Sequence, residues 1–146
     1  MKVALGSDHA GFELKEDLKI FLNELGHEVI DYGTESSAMV DYPDIVFPLA
    51  KDVADGKCDR GIICCGTGVG VSIAANKVRG IRAANCHDSF SARSSREHNN
   101  ANILTLGERV IGKGLAREIV QIWLEAKFLE GRHLRRINKV SDYEKR

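Results

Sequence analysis

The chain has 146 residues, enough for one domain with a real core, and its 43% hydrophobic and 29% charged composition is globular rather than disordered. Lys+Arg 21 against Asp+Glu 21 leaves no net field to gather polyanions, which argues against nucleic acid as a partner. The apolar stretch before Ser7 and Asp8 is too short for a signal peptide or a membrane span, so a cytoplasmic protein that touches no membrane is expected. Four cysteines at 58, 64, 65 and 86 match neither paired zinc ligands nor a secreted disulfide framework, and free thiols are expected.

Short apolar runs alternate with longer helical patterns, with no linker or repeat between them, which predicts a single α/β domain over residues 1–146 with a parallel sheet. Val3 to Gly6 reads as the first strand; Leu14, Leu18, Phe21, Leu22 and Leu25 then share one helical face, with Gly26 as the stop. Glu28 to Tyr32 is a second strand. Pro43 opens a helix that turns Ile45, Leu49 and Val53 inward and ends at Asp55-Gly56. Ile62 to Cys64 is a buried strand, Gly66 to Gly70 turns into a helix running through Ala75, and Ile81 to Ala84 is a fourth strand. Ser89 to His98 is helix and Ile103 to Leu106 the fifth strand. Ile119, Ile122, Trp123 and Ala126 mark a long helix, and a basic segment from about 131 to 146 forms the last one.

In open parallel sheets ligands bind beyond the carboxyl ends of the strands. The polar residues there are Asp8 and His9 after the first strand, Cys65 to Gly70 after the third, and Arg109 after the fifth. The run Cys65-Gly-Thr-Gly-Val-Gly70 joins a strand to a helix, so its backbone N–H groups can face an anion; tight turning and close packing would call for the same glycines. It lacks the full G-x-G-x-x-G spacing of a dinucleotide site and the Lys-Ser/Thr of a P-loop.

Cys65 stands before a helix N-terminus, where the dipole and free N–H groups favour thiolate over thiol, so it can serve as a base; a buried inert thiol is the competing reading. Cys64 points to the other side of the sheet and reads as core. Asp8 and His9 can bind a hydroxyl or steer a proton, or Asp8 can cap the helix that begins near Gly11. His98 has a tunable charge, whereas His27, His87 and His133 read as surface or loop residues. Arg132 and Arg136 lie one helical turn apart and suit phosphate oxygens, although a solvated basic helix has the same spacing.

Taken together, Gly6-Ser-Asp-His-Ala-Gly11, Asp41-Tyr-Pro-Asp44, Cys65-Gly-Thr-Gly-Val-Gly70 with Ser72-Ile-Ala-Ala-Asn76, Gly80-Ile-Arg82, His98-Asn-Asn-Ala-Asn102 and Gly131-Arg-His133 resemble the ribose-5-phosphate isomerase type B family, with galactose-6-phosphate isomerase subunits as relatives. The likeness spans almost the whole chain. It implies a Rossmann-like three-layer sandwich with five parallel strands, working without metal or other cofactor as a homodimer or dimer of dimers, with the active site between subunits and the last helix packed on a partner. The implied reaction is the interconversion of ribose 5-phosphate and ribulose 5-phosphate through an enediolate, a step of the pentose phosphate pathway. By resemblance, Cys65 removes the carbon-bound proton, His98 opens the sugar ring, Thr67 places the reacting oxygens and Asp8 assists. Asp8, His9, Gly66, Thr67, Gly68, Val69, Gly70, Asn99, Arg109, Arg132 and Arg136 then line the substrate, with arginines taking the phosphate.

Helix-dipole reasoning alone sends the phosphate to the glycine loop. The chemistry favours the family pattern, because charge developing on enediolate oxygens needs preorganised donors more than a stable phosphate does. Allose 6-phosphate or galactose 6-phosphate would use the same chemistry. A non-catalytic sensor of sugar phosphates or nucleotides, and a thiol redox protein using Cys64 and Cys65, are the alternatives from other classes.

Overall fold

The short apolar runs become strands because successive side chains feed two different cores. In strand β3 (Arg60–Cys65), Ile62 and Cys64 join one cluster of buried residues while Ile63 and Cys65 join the other; in β5 (Ile103–Gly107), Leu104 and Leu106 oppose Ile103 in the same way. A computed structural model describes residues 1–146. The remaining strands are β1 (Lys2–Ser7), β2 (Glu28–Asp31) and β4 (Ala83–Asn85), and the five form one parallel sheet in the order β2-β1-β3-β5-β4.

Helices α1 (Phe12–Glu24), α4 (Ser89–Glu97) and α5 (Lys113–Glu125) cover one face. Leu14, Leu18 and Leu22 of α1 and Ile119, Val120 and Trp123 of α5 are sealed there, each leucine contributing about 1.5–3 kcal/mol by its burial. Helices α2 (Tyr42–Ala54) and α3 (Val69–Ala75) cover the other face through Val46, Leu49, Ala50, Val53, Val71, Ala74 and Ala75. The result is the three-layer sandwich expected. A last helix, α6 (Arg132–Glu144), lies outside these layers and buries only Ile137.

Two boundaries differ from the sequence reading. Ile81 is buried as a strand residue would be, but its N–H closes a turn on Val78 O, so β4 starts at Ala83. Helix α2 starts at Tyr42, and its rotation gives the fully buried place to Val46, leaving Ile45 half-buried. The expected C-terminal stop is found: Asp55 caps α2 and Gly56 follows with φ +76°.

Strand order reverses between β1 and β3, which lie side by side and lead in opposite directions across the sheet. Their carboxyl ends therefore open a crevice between the loops that leave them. Gly11 lets those loops meet, because a Cβ there would collide with the Cys64 carbonyl. The Asp8 N–H donates to Cys64 O at 3.3 Å across the same junction.

Candidate active site

Two groups of polar side chains result, one at each edge of the sheet. At the carboxyl edge, Asp8 Oδ1 accepts the N–H groups of Ala10 (2.9 Å) and Gly11 (3.1 Å), so the capping role is real. Its Oδ2 takes no partner within the chain, and the side chain lines a hollow with His9 and residues 39–44. His9 Nδ1 accepts the Val40 N–H at 3.2 Å, which in the neutral ring leaves the hydrogen on Nε2.

Cys65 ends β3 and is 5% exposed, yet its sulfur is not held by apolar contacts alone. The Gly68 N–H donates to Sγ at 3.0 Å, the interaction an ionised sulfur accepts most strongly. Gly68 reaches this position with φ +80°, and a Cβ there would strike Asn85 Oδ1. Thr67 Oγ1 accepts the Val69 N–H at 3.2 Å. The N–H groups of Gly66, Thr67 and Gly70, in the turn that follows Cys65, make no hydrogen bond within the chain and are free donors. The Arg109 guanidinium lies over Gly66, 3.4 Å from where a Cβ would sit, and takes no acidic partner.

Cys64 behaves as the sequence suggested. It is fully buried on the opposite face, and burial pushes its thiol far up from the ordinary value. All four cysteines are free and buried.

The second group sits at the amino edge. His98 caps the end of α4 and stacks on His133 of α6, ring centroids 4.4 Å apart and planes 11° from parallel. Arg132 and Arg136 flank His133 on the same helix. Partial burial, then the nearby charges of His98, Arg132 and Arg136, push the His133 imidazole down from its ordinary value. Asn99 follows His98, and its carbonyl accepts from Arg82 Nε at 3.0 Å.

The two groups cannot meet within one chain. Asn102, just beyond the His98 turn, accepts from Gly61 N at the start of β3, whereas Cys65 ends that strand. Gly61 to Cys65 spans about 13 Å at roughly 3.3 Å per residue. Asp8, His9, Cys65 to Gly70 and Arg109 thus share one edge, and His98, Asn99, Arg132 and Arg136 the other.

The family described as Ribose/Galactose Isomerase matches residues 3–140. The chain belongs to this family. Among relatives of this isomerase, a putative sugar phosphate isomerase of Bacillus subtilis is 56% identical over 100% of this chain and 99% of its own length. Ribose-5-phosphate isomerase B of Escherichia coli is 50% identical, covering 99% and 97%. D-erythrulose-4-phosphate isomerase of Pectobacterium atrosepticum is 44% identical, covering 99% and 95%. The ribose-5-phosphate isomerase B structure from Clostridium thermocellum superposes with a TM-score of 0.98 at 56% identity, covering 99% and 98% of the two chains. The Mycoplasma genitalium enzyme with bound ribulose-5-phosphate gives 0.95 at 41% identity, covering 99% and 96%.

Several residues near this isomerase's site escaped the sequence reading. Tyr42 packs its ring and hydroxyl against Gly70, 3.1 to 3.3 Å from where a Cβ would sit. His87 was read as a loop residue, but its Nε2 accepts the Gly107 N–H at 2.9 Å and so ties β5 to the segment after β4. Asn85 bridges Thr105 Oγ1 (3.2 Å) and Thr67 O (3.5 Å) beneath the glycine loop. No spacing signal in the sequence announces such contacts between distant segments of the chain.

Proposed function

We propose that this isomerase interconverts ribose 5-phosphate and ribulose 5-phosphate by proton transfer between C2 and C1. The Cys65 thiolate takes the C2 proton of the open-chain aldose, giving an enediolate and a neutral thiol. The same proton returns to C1 while the O2 hydroxyl proton passes to O1, giving the ketose, so no electrons leave the substrate. Negative charge on the enediolate oxygens falls to the free N–H groups of Gly66, Thr67 and Gly70, with Thr67 Oγ1 and Asp8 placing the hydroxyls. His98 delivers a proton to the ring oxygen when the furanose opens. His9, Asn99, Arg109, Arg132 and Arg136 hold the far end, where guanidinium groups match the phosphate and fix the reacting carbons in place.

The observation that carries this reading is the Cys65 sulfur with an N–H donated to it and three unpaired N–H groups in the turn that follows it. A second copy of the chain supplies His98, Asn99, Arg132 and Arg136. Support comes from the strand's length between the two half-sites, and from Leu134, Val140 and Tyr143 on α6, which are 41%, 62% and 69% exposed with nothing of their own chain to cover them. A homodimer, or a dimer of dimers, is the assembly proposed. Its setting is the cytoplasm and the pentose phosphate pathway; no helix is long and apolar enough to cross a membrane.

The test is turnover of ribose 5-phosphate by Cys65→Ala, with kcat expected to fall about 10²- to 10⁴-fold. Unchanged kcat removes the thiol as base. Comparing kcat/KM for erythrulose 4-phosphate, ribose 5-phosphate and allose 6-phosphate measures chain-length preference, and the five-carbon sugar is expected to lead.

A further inference from the structure

At the amino edge of the sheet, three arginines from separate elements converge on one cavity of about 480 Å³. Arg60 opens β3, Arg82 precedes β4 and Arg96 lies in the last turn of α4. No carboxylate comes within ion-pair distance of any of them. Asp59, whose Oδ2 accepts the Lys2 N–H at 2.7 Å, reaches the rim, and it acts on Arg60, as Glu144 acts on Arg82, only from beyond ion-pair distance.

Carbonyl groups hold the three in place. Arg60 Nη1 donates to Trp123 O (3.1 Å) and Leu124 O (3.0 Å) at the end of α5. Arg82 donates through Nε and Nη2 to Asn100 O, both at 3.1 Å, and through Nε to Asn99 O. Arg96 Nη1 donates to Ala101 O (2.6 Å) and Asn100 Oδ1 (2.8 Å). Helix ends carry only about half an elementary charge each, so three full positive charges are left under-compensated. Each guanidinium also uses only part of its fork. Nε and Nη2 of Arg60 and Nη2 of Arg96 make no bond, and Arg96 Nε, on a side chain only 6% exposed, has no partner.

An unpaired buried guanidinium N–H is costly, and capping two helix ends does not require three arginines in one hollow. We propose that this cavity is a second anion site, built for a phosphate group carried either by inorganic phosphate or by a small phosphate monoester, separate from the isomerase centre. Planar forks from three directions suit tetrahedral oxygens, and burial sharpens the attraction. Burial, reinforced by the neighbouring Arg60 and Arg82, holds Arg96 down to about 10, as a group lacking its counter-charge behaves. Arg82 and Arg96 also grip the Asn99–Ala101 turn that follows His98, so an anion here is linked to that imidazole through two side chains.

Trp123 is the single tryptophan and reports on the site directly. Its buried ring faces the Arg60 guanidinium at 5.4 Å and that of Arg96 at 6.0 Å. Emission is followed while inorganic phosphate, glycerol phosphate or, at matched ionic strength, chloride is added to the intact protein. A saturable change with the phosphates and none with chloride is expected, with the midpoint raised about tenfold or more in Arg82→Gln, as loss of charge-assisted bonds predicts. A lower midpoint for glycerol phosphate identifies an organic monoester as the preferred form, and a lower one for phosphate the free ion. Circular dichroism checks that Arg82→Gln is folded; should it not be, Arg82→Lys, which keeps the charge and loses the fork, is read the same way. An unmoved midpoint in the folded variant, or no phosphate-specific change in the wild type, overturns the proposal.

Discussion

Mixing two inactive variants tests whether the half-sites at opposite edges of the sheet combine between chains. Cys65→Ala removes the base from the carboxyl edge, and His98→Ala removes the imidazole from the amino edge. Each alone is expected to lose about 10²- to 10⁴-fold in turnover of ribose 5-phosphate. About 13 Å of β3 separates the two positions within a chain, so in the proposed homodimer every complete site draws Cys65 from one chain and His98 from the other. In a two-fold dimer the mixed species then holds one doubly damaged site and one wholly intact site. Random exchange at equal concentrations makes about half of the dimers mixed, and half of their sites intact, so about a quarter of wild-type activity returns. A dimer of dimers gives the same fraction if each site lies within one dimer. Activity is measured after exchange in mild denaturant, with mixed dimers counted by native mass spectrometry. If mixed dimers form and activity stays at the level of the parents, both residues serve one site on one chain, and the reading of the half-sites is wrong.

Gly68→Ala forces a side chain onto a φ of +80° and against Asn85. Left-handed strain of about 1–2 kcal/mol and the displaced Asn85 bonds lower stability by about 2–4 kcal/mol, seen as a fall in Tm of roughly 4–16 °C together with reduced kcat as the donor to Cys65 shifts. Asp31→Asn strips the carboxylate from Lys15, whose side chain is 0% exposed, and a urea titration should show a loss of about 2–4 kcal/mol. Burial pushes the Asp31 carboxyl up, but bonds from Lys15, Lys19 and the Gly33 N–H outweigh it and hold it below the usual range. Its contribution is therefore present at neutral pH and lost as pH falls through that depressed value, and the variant should lack this acid limb. Burial holds the His87 imidazole below its ordinary value, only partly opposed by Asp88, while Nε2 accepts the Gly107 N–H. The unfolded chain thus takes up a proton first, so stability should decline as pH drops below about 6.5, and His87→Ala should flatten that decline in Tm measured across pH.

Period-two alternation made the strands legible, and it also separated Cys64 from Cys65 before any contact was known. Helix ends were legible where glycine or a capping acid marks them, as at Gly26, Gly56 and Asp8. What escaped was decided by contacts between distant segments. The start of β4 depends on Asn102, twenty residues on, which takes the Arg82 N–H on Oδ1. The His98–His133 stack joins helices α4 and α6, and the arginine cavity gathers residues 60, 82 and 96 from three elements; nothing local in the sequence ties those positions together.

The split of the site follows from the topology. In a parallel sheet each strand leaves at the carboxyl edge, and the covering helix must bring the chain back to the amino edge before the next strand begins. A residue at the carboxyl end of β3, such as Cys65, and one directly after α4, such as His98, therefore lie at opposite edges whatever their side chains. With the proposed base and imidazole at these two positions, a complete site calls for a second copy, because no loop rearrangement short of unpairing β3 from β5 could bring them together. In the proposed homodimer a two-fold axis completes both sites with one surface, and the exposed Leu134, Val140 and Tyr143 of α6, next to Arg132 and Arg136, are its candidate contacts.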